Sequence, residues 1–215
     1  MNPLDISSSG LEQIHLELEA RHFELMAETW SVKPPKEGIG SWVMYPKDGS
    51  ITIVRAESKV KCAAKVLFDY LVTDIDKTCK EWNDVMLYSG IVKKYNETTE
   101  ISRIISEGNI VADREDVFIR CVKRGENGTL YEFSKGFDET FIPIDTSISK
   151  YTVRSQMHFA SKEIVPINAN ECWYKTIWHY DPAGRLSQFF PKKWLGDMIL
   201  KNLIHEHQKL ANIFK

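Results

Sequence analysis

From about residue 85 to residue 180 the chain reads as six strand-like segments in succession, with no helical stretch between them. They lie at about 85–95, 100–107, 116–123, 129–137, 151–164 and 171–180. Strands that follow one another without helices pair antiparallel, because parallel neighbours need a crossover of about a dozen residues or more. Three shorter β-rich segments, "WSVK", "GSWVMYP" and "SITIVRAE", precede them over 30–57, separated by "PPKEG" and "KDG", which carry turn chemistry. Helical spacing of apolar residues occurs in three places. Leu11, Ile14, Leu18 and Leu25 predict a helix over 11–29, starting at Ser9-Gly10. Val66, Leu67 and Tyr70 predict one over 58–72, and residues 192–214 predict a long terminal helix. "DIDKTCKEWND" and "YDPAGRLSQFFP" read as connections. The expected class is α+β: one domain over 1–215, an antiparallel sheet with helices packed on it.

Composition excludes several functions. A chain of 215 residues with 43% hydrophobic and 27% charged residues can bury a sizeable core. A net charge of −2 gives no basic stripe for nucleic acid. No run approaches the ~18 apolar residues of a membrane span. The N-terminus lacks a basic start followed by an apolar stretch, so a cytoplasmic location is expected. Cys62, Cys79, Cys121 and Cys172 are scattered without a C-x-x-C pair and read as reduced thiols.

The run Val117-Phe118-Ile119-Arg120-Cys121-Val122 poses the functional question. Alternation puts Phe118, Arg120 and Val122 on one face of a strand that is otherwise apolar on both. An arginine stays charged, and burying it unpaired is costly. Either the strand is an edge where Arg120 reaches water, or Arg120 faces an enclosed space that needs one donor. Two further strands offer bulky inward residues with one hydroxyl each. Ser155, Met157 and Phe159 lie on one, and Tyr174, Thr176 and Trp178 on the other, while His158 and His179 point outward. A filled core and a cavity with a few placed polar groups both fit this pattern.

The terminal helix carries an apolar stripe that includes Leu195, Met198, Ile199, Leu203 and Leu210. Its start is unusual. Lys192 and Lys193 oppose the helix dipole, and with Phe189, Phe190 and Trp194 they compose an interfacial patch suited to membrane contact.

Catalytic signals are few: no phosphate-binding glycine loop, no G-x-S-x-G and no H-E-x-x-H. His205 and His207 do not share a helix face, so no metal is expected there. Asp113, Glu115 and Asp116 read as a turn before the Arg120 strand, and the inner positions offer no acid or base. No cofactor is implied.

Four motifs in order resemble the START domains, the lipid-transfer modules related to steroidogenic acute regulatory protein. They are "KEWND" (80–84), "DREDVFIRCVKR" (113–124), "YTVRSQMHF" (151–159) and "WHYDPAGRLSQFFPKKWLGDMILKNL" (178–203), and the similarity covers about 25–215. The resemblance implies a helix-grip fold, in which a curved antiparallel sheet wraps the terminal helix around a tunnel for one lipid. Arg120 would face that tunnel. Phe118, Val122, Ser155, Met157, Phe159, Tyr174, Thr176, Trp178, Met198, Ile199 and Leu203 would line it. Counted without gaps, the family's acidic partner falls on Ile101, with Glu100 beside it, so Arg120 is expected to lack that acid and to engage a headgroup or another carboxylate. Asp116 stands where the family has an aromatic. The expected activity is transfer of one phospholipid or sterol between membranes by a monomer that touches them transiently. A lipid sensor and an enzyme of the same superfold are the rivals.

Overall fold

A computed structural model describes residues 5–108 and 112–215. Helix α1 (Ser8–Ala27) is followed by strands β1 (Ser31–Lys36), β2 (Ile39–Met44) and β3 (Ile53–Val60), then by helices α2 (Ala64–Phe68) and α3 (Ile75–Trp82). Strands β4 (Met86–Lys94), β5 (Thr99–Ser106), β6 (Asp113–Arg124) and β7 (Leu130–Gly136) come next. They lead to β8 (Thr152–Arg154), β9 (Gln156–Asn168) and β10 (Glu171–Asp181), and the chain ends with helices α4 (Gly184–Phe189) and α5 (Lys192–Ile213). The strands form one curved sheet in the order β1-β2-β3-β10-β9-β7-β6-β5-β4, with β8 added in parallel beside the start of β6. β1 and β4 are its margins. All pairings other than that of β8 are antiparallel, as the unbroken succession of strands requires.

Helices cover both faces. On the outer face Leu18 and Leu25 of α1 pack against Ile119, Phe133, Phe159 and Ile177. His22 joins them, buried, with Nδ1 3.0 Å from Ser161 Oγ. On the inner face Leu195, Ile199 and Leu203 of α5 pack on Val43, Val54 and Ala56 of β2 and β3. Leu210 closes the far end with Leu67, Leu71, Trp82 and Tyr174. None of the four cysteines is in a disulfide, although Cys62 and Cys172 bring their thiols into contact.

Several boundaries differ from the sequence reading. α1 starts at Ser8 and is capped by Ser7, whose Oγ accepts from Gly10 N at 3.1 Å. β3 runs on to Val60, so the helix expected over 58–72 begins only at Ala64, and it widens into a π-turn over Asp69–Thr73. The connection at 74–84 is helix α3, because Ile75, Cys79 and Trp82 recur on one face and are buried together. Part of the connection at 180–191 is helix α4. The supposed turn Asp113–Asp116 is the start of β6, and Glu115 is tolerated in a strand because Arg154 (2.6 Å) and Arg103 (3.0 Å) neutralise it.

One irregularity changes the face of a site residue. The β9–β10 register passes from Phe159↔His179 to Met157↔Tyr180, leaving His158 as an extra residue, a β-bulge. Met157 therefore faces inward with Tyr180. Phe159 turns outward into the cluster under α1, contrary to the simple alternation.

Candidate functional site

The inner face is more polar than the sequence suggested. Val117, Ile119 and Cys121 lie in the outer cluster, so Arg114, Asp116, Phe118, Arg120 and Val122 face α5. Arg120 sits opposite Glu100 in the β5–β6 register and forms an ion pair with it. The acid that counting from the family pattern missed is thus Glu100, and Arg120 does not lack a partner. Ser102 Oγ donates to the same Glu100 oxygen at 2.9 Å, and one guanidinium nitrogen of Arg120, Nη1, is buried without a partner.

Beyond Arg120 the interior is closed. Lys162 pairs with Glu132, which also accepts from Ser134 Oγ at 2.8 Å. Burial alone would push Glu132 up, but Lys162 and Arg120 reverse this and hold its carboxyl below the usual range. From α5, Glu206 accepts from Tyr174 Oη at 2.5 Å, and His207 bridges Ser58 Oγ (2.7 Å) and Thr176 Oγ1 (2.9 Å). Tyr174 and His207 are stacked with centroids 4.6 Å apart. Burial raises the Glu206 pKa and lowers that of His207 to about 3, so the imidazole is neutral. All four of Tyr174, Thr176, Glu206 and His207 are buried.

The other end of the interior differs. There Asp116 accepts from Ser155 Oγ and from Tyr180 Oη. Asp116 and Tyr180 lie deep in the protein, and burial raises the pKa of both, Asp116 to about 6. Yet neither is closed over: both keep accessible surface, as do Met157, Trp178 and Met198. These residues share the inner face of the sheet, and the surface they leave accessible is mostly apolar with one hydroxyl–carboxyl cluster, a composition suited to a small-molecule site.

The structure thus brings Phe118, Arg120, Val122, Ser155, Met157, Tyr174, Thr176 and Trp178 to the inner face, and takes Phe159 away. Met198 keeps accessible surface, whereas Ile199 and Leu203 are buried against β2 and β3. The expectation that the interior lacks an acid or base is overturned by Asp116, Glu132, Glu206 and His207. Glu132 was legible in "LYEFS", where it shares a face with Leu130 and Ser134; Glu206 and His207 needed the α5–sheet geometry.

His158 and His179 do point outward. Their rings lie 4.6 Å apart in a groove of about 250 Å³ beside Arg21 and Lys135 of α1 and β7. Among the described residues no cluster of three or more metal-binding side chains exists, and no helix is long and apolar enough to cross a membrane.

At the α4–α5 corner Phe189 is 73% exposed, and Phe190 stacks on Trp194 with centroids 4.4 Å apart while both remain exposed. Lys192 and Lys193 are exposed beside them, Lys192 donating to the Gly49 carbonyl of the β2–β3 loop.

No family sequence model matches the chain, and no curated protein matches it by sequence. Solved structures do match. Human StAR-related lipid transfer protein 5 superposes with a TM-score of 0.80 at 16% identity, over 97% of this chain and 98% of that one. The chain has the START fold. Human STARD10 superposes at 0.78 and 14% identity, over 92% and 78% of the two chains. A STAR-related lipid transfer protein fragment from Xanthomonas axonopodis superposes at 0.70 and 18%, over 87% and 99%. Arg120 and Asp116 lie on the face of the sheet toward which α5 packs.

Proposed function

We propose that the protein binds one lipid between the inner face of its sheet and α5 and carries it between membranes without covalent chemistry. The observation that carries this reading is the set of deep residues that stay accessible, Asp116, Met157, Trp178 and Tyr180. Two proteins of this fold bear lipid transfer in their names, which supports the reading at the level of fold. The energetics suit a carrier. Burying roughly fifteen methylenes at ~0.8 kcal/mol each gives about 12 kcal/mol, close to what a bilayer offers the same chain, so exchange is feasible. The patch Phe189, Phe190, Trp194, Lys192 and Lys193 supplies aromatic surface and positive charge for docking on anionic membranes.

The test is extraction of the purified protein with organic solvent, mass spectrometry of the extract, and transfer between labelled and unlabelled liposomes. One bound lipid per chain and transfer above the spontaneous rate are expected. A protein that carries nothing and takes up nothing overturns the reading. Asp116, an inward acid at about pKa 6, is what an enzyme of this superfold would need. Chemical change of the extracted ligand on incubation would favour that second reading.

A further inference from the structure

Glu115 and Asp116 are neighbours in β6 and are treated in opposite ways. Glu115, on the outer face, is held by Arg154 at 2.6 Å and Arg103 at 3.0 Å and accepts the Asp145 backbone N–H at 3.1 Å. Asp116, on the inner face, has no Lys, Arg or His within ion-pair distance among the described residues. Arg114, two residues earlier on the same face, donates Nε to the Pro182 carbonyl at 2.6 Å and Nη1 to the Ala112 carbonyl. Arg154 is paired with Glu115 and acts on Asp116 only through its charge at longer range.

A carboxylate has about four acceptor sites. Ser155 and Tyr180 fill two of them, and both are themselves fixed. Ser155 is anchored through its backbone N–H to the Glu115 carbonyl at 3.1 Å, and Tyr180 lies on β10 opposite Met157. The remaining acceptor capacity has no hydrogen-bond partner among the described residues, and Asp116 keeps accessible surface. A deep acid without a cation destabilises a protein, and such groups concentrate where they meet a ligand. On the same face stand Met157 and Trp178, which carry no side-chain donor beyond the indole N–H.

We propose that Asp116, held by Ser155 and Tyr180, recognises the polar end of the bound lipid, and that this polar end is a hydrogen-bond donor, a hydroxyl or a protonated amine. An acceptor-only or anionic group there would face the carboxylate oxygens and be disfavoured. The inference rests on the carrier reading above and narrows it to a class of lipid.

The test offers the intact protein vesicles containing matched pairs that differ only in the donor. One pair is phosphatidylethanolamine against phosphatidylcholine, whose quaternary nitrogen has no N–H. The other is diacylglycerol against its 3-acetyl ester. Wild-type protein is expected to favour the donor member of at least one pair by about tenfold, the scale of a hydrogen bond to a charged group. The pair that responds tells an amine from a hydroxyl. Asp116→Leu should abolish the preference while uptake of the acetyl ester persists; Asp116→Asn, which keeps the volume and one acceptor, should reduce it. Equal uptake within both pairs by wild type, or a preference that survives in Asp116→Leu, overturns the proposal whether or not either variant is stable. Uptake of no lipid at all by wild type overturns the carrier reading itself, and the inference with it.

Discussion

The two ends of the interior are built from the same parts and differ in one respect. At the closed end Tyr174 of β10 meets the acid Glu206, and hydroxyls of Ser58 and Thr176 meet His207. At the open end Tyr180, on the same face of the same strand, meets the acid Asp116 and the hydroxyl of Ser155. The closed set is buried and its members satisfy one another, whereas Asp116 and Tyr180 keep accessible surface. Polar groups that are closed over fix a structure. The same groups left partly open can recognise something.

Mutation separates the two ends, and the largest effects belong to the closed side. Arg120→Leu, which leaves Glu100 without its cation, should lower unfolding free energy by about 3–5 kcal/mol in urea titration, with much of the loss recovered in an Arg120→Leu/Glu100→Gln pair. A fully stable single variant with weakened lipid binding would move Arg120 to the open set. His207→Ala leaves the Ser58 and Thr176 hydroxyls without the imidazole and opens a void, and should cost about 3 kcal/mol by the same measurement.

Acid separates His207 and Asp116 by sign. His207 has a folded pKa of about 3 against 6.5, so below pH 6.5 the unfolded chain takes a proton that the folded protein refuses. Its contribution is full above pH 6.5 and is lost as pH falls toward 3, at up to about 1.4 kcal/mol per pH unit. Asp116 works oppositely. With a folded value of about 6 against 3.8, the folded protein holds the extra proton in that window, and acidification there is stabilising. Stability–pH curves should therefore be flatter in acid for His207→Ala and steeper for Asp116→Asn than for wild type. Both variants shifting in the same direction would erase the distinction.

The smallest stability effects belong outside the closed end. Ser155→Ala should change unfolding free energy by only about 1 kcal/mol or less, since the remaining partner Tyr180 still serves Asp116. Exchanging Lys192 and Lys193 for Glu should leave unfolding within about 0.5 kcal/mol while slowing transfer to anionic vesicles severalfold. Equal transfer rates would remove the α4–α5 corner from the mechanism.

The strand succession was readable because antiparallel order is a local property of the chain, and the inward face of β10 followed from alternation alone. What escaped was non-local. The Glu100–Arg120 pair depends on the β5–β6 register, which counting along the sequence placed one residue off. Phe159 was misplaced because a single bulge residue, His158, reverses the phase of β9. Glu206 finds its partner Tyr174 only when α5 is laid against β10, which no local pattern encodes. Helix α3 did carry its periodic signal, over only eight residues, too few to stand out among the charged neighbours.

The sheet does not close on itself, and β1 lies at one of its free margins with nearly every residue exposed. An unpaired strand is a template on which another chain can add its own hydrogen bonds. Pro34 and Pro35 stand in the middle of β1 and have no N–H to offer, so a continuous ladder cannot form along that margin. Two copies brought together along that margin would find it a poor seam, so the exposed edge is guarded against strand-to-strand pairing even though the sheet is wide and open.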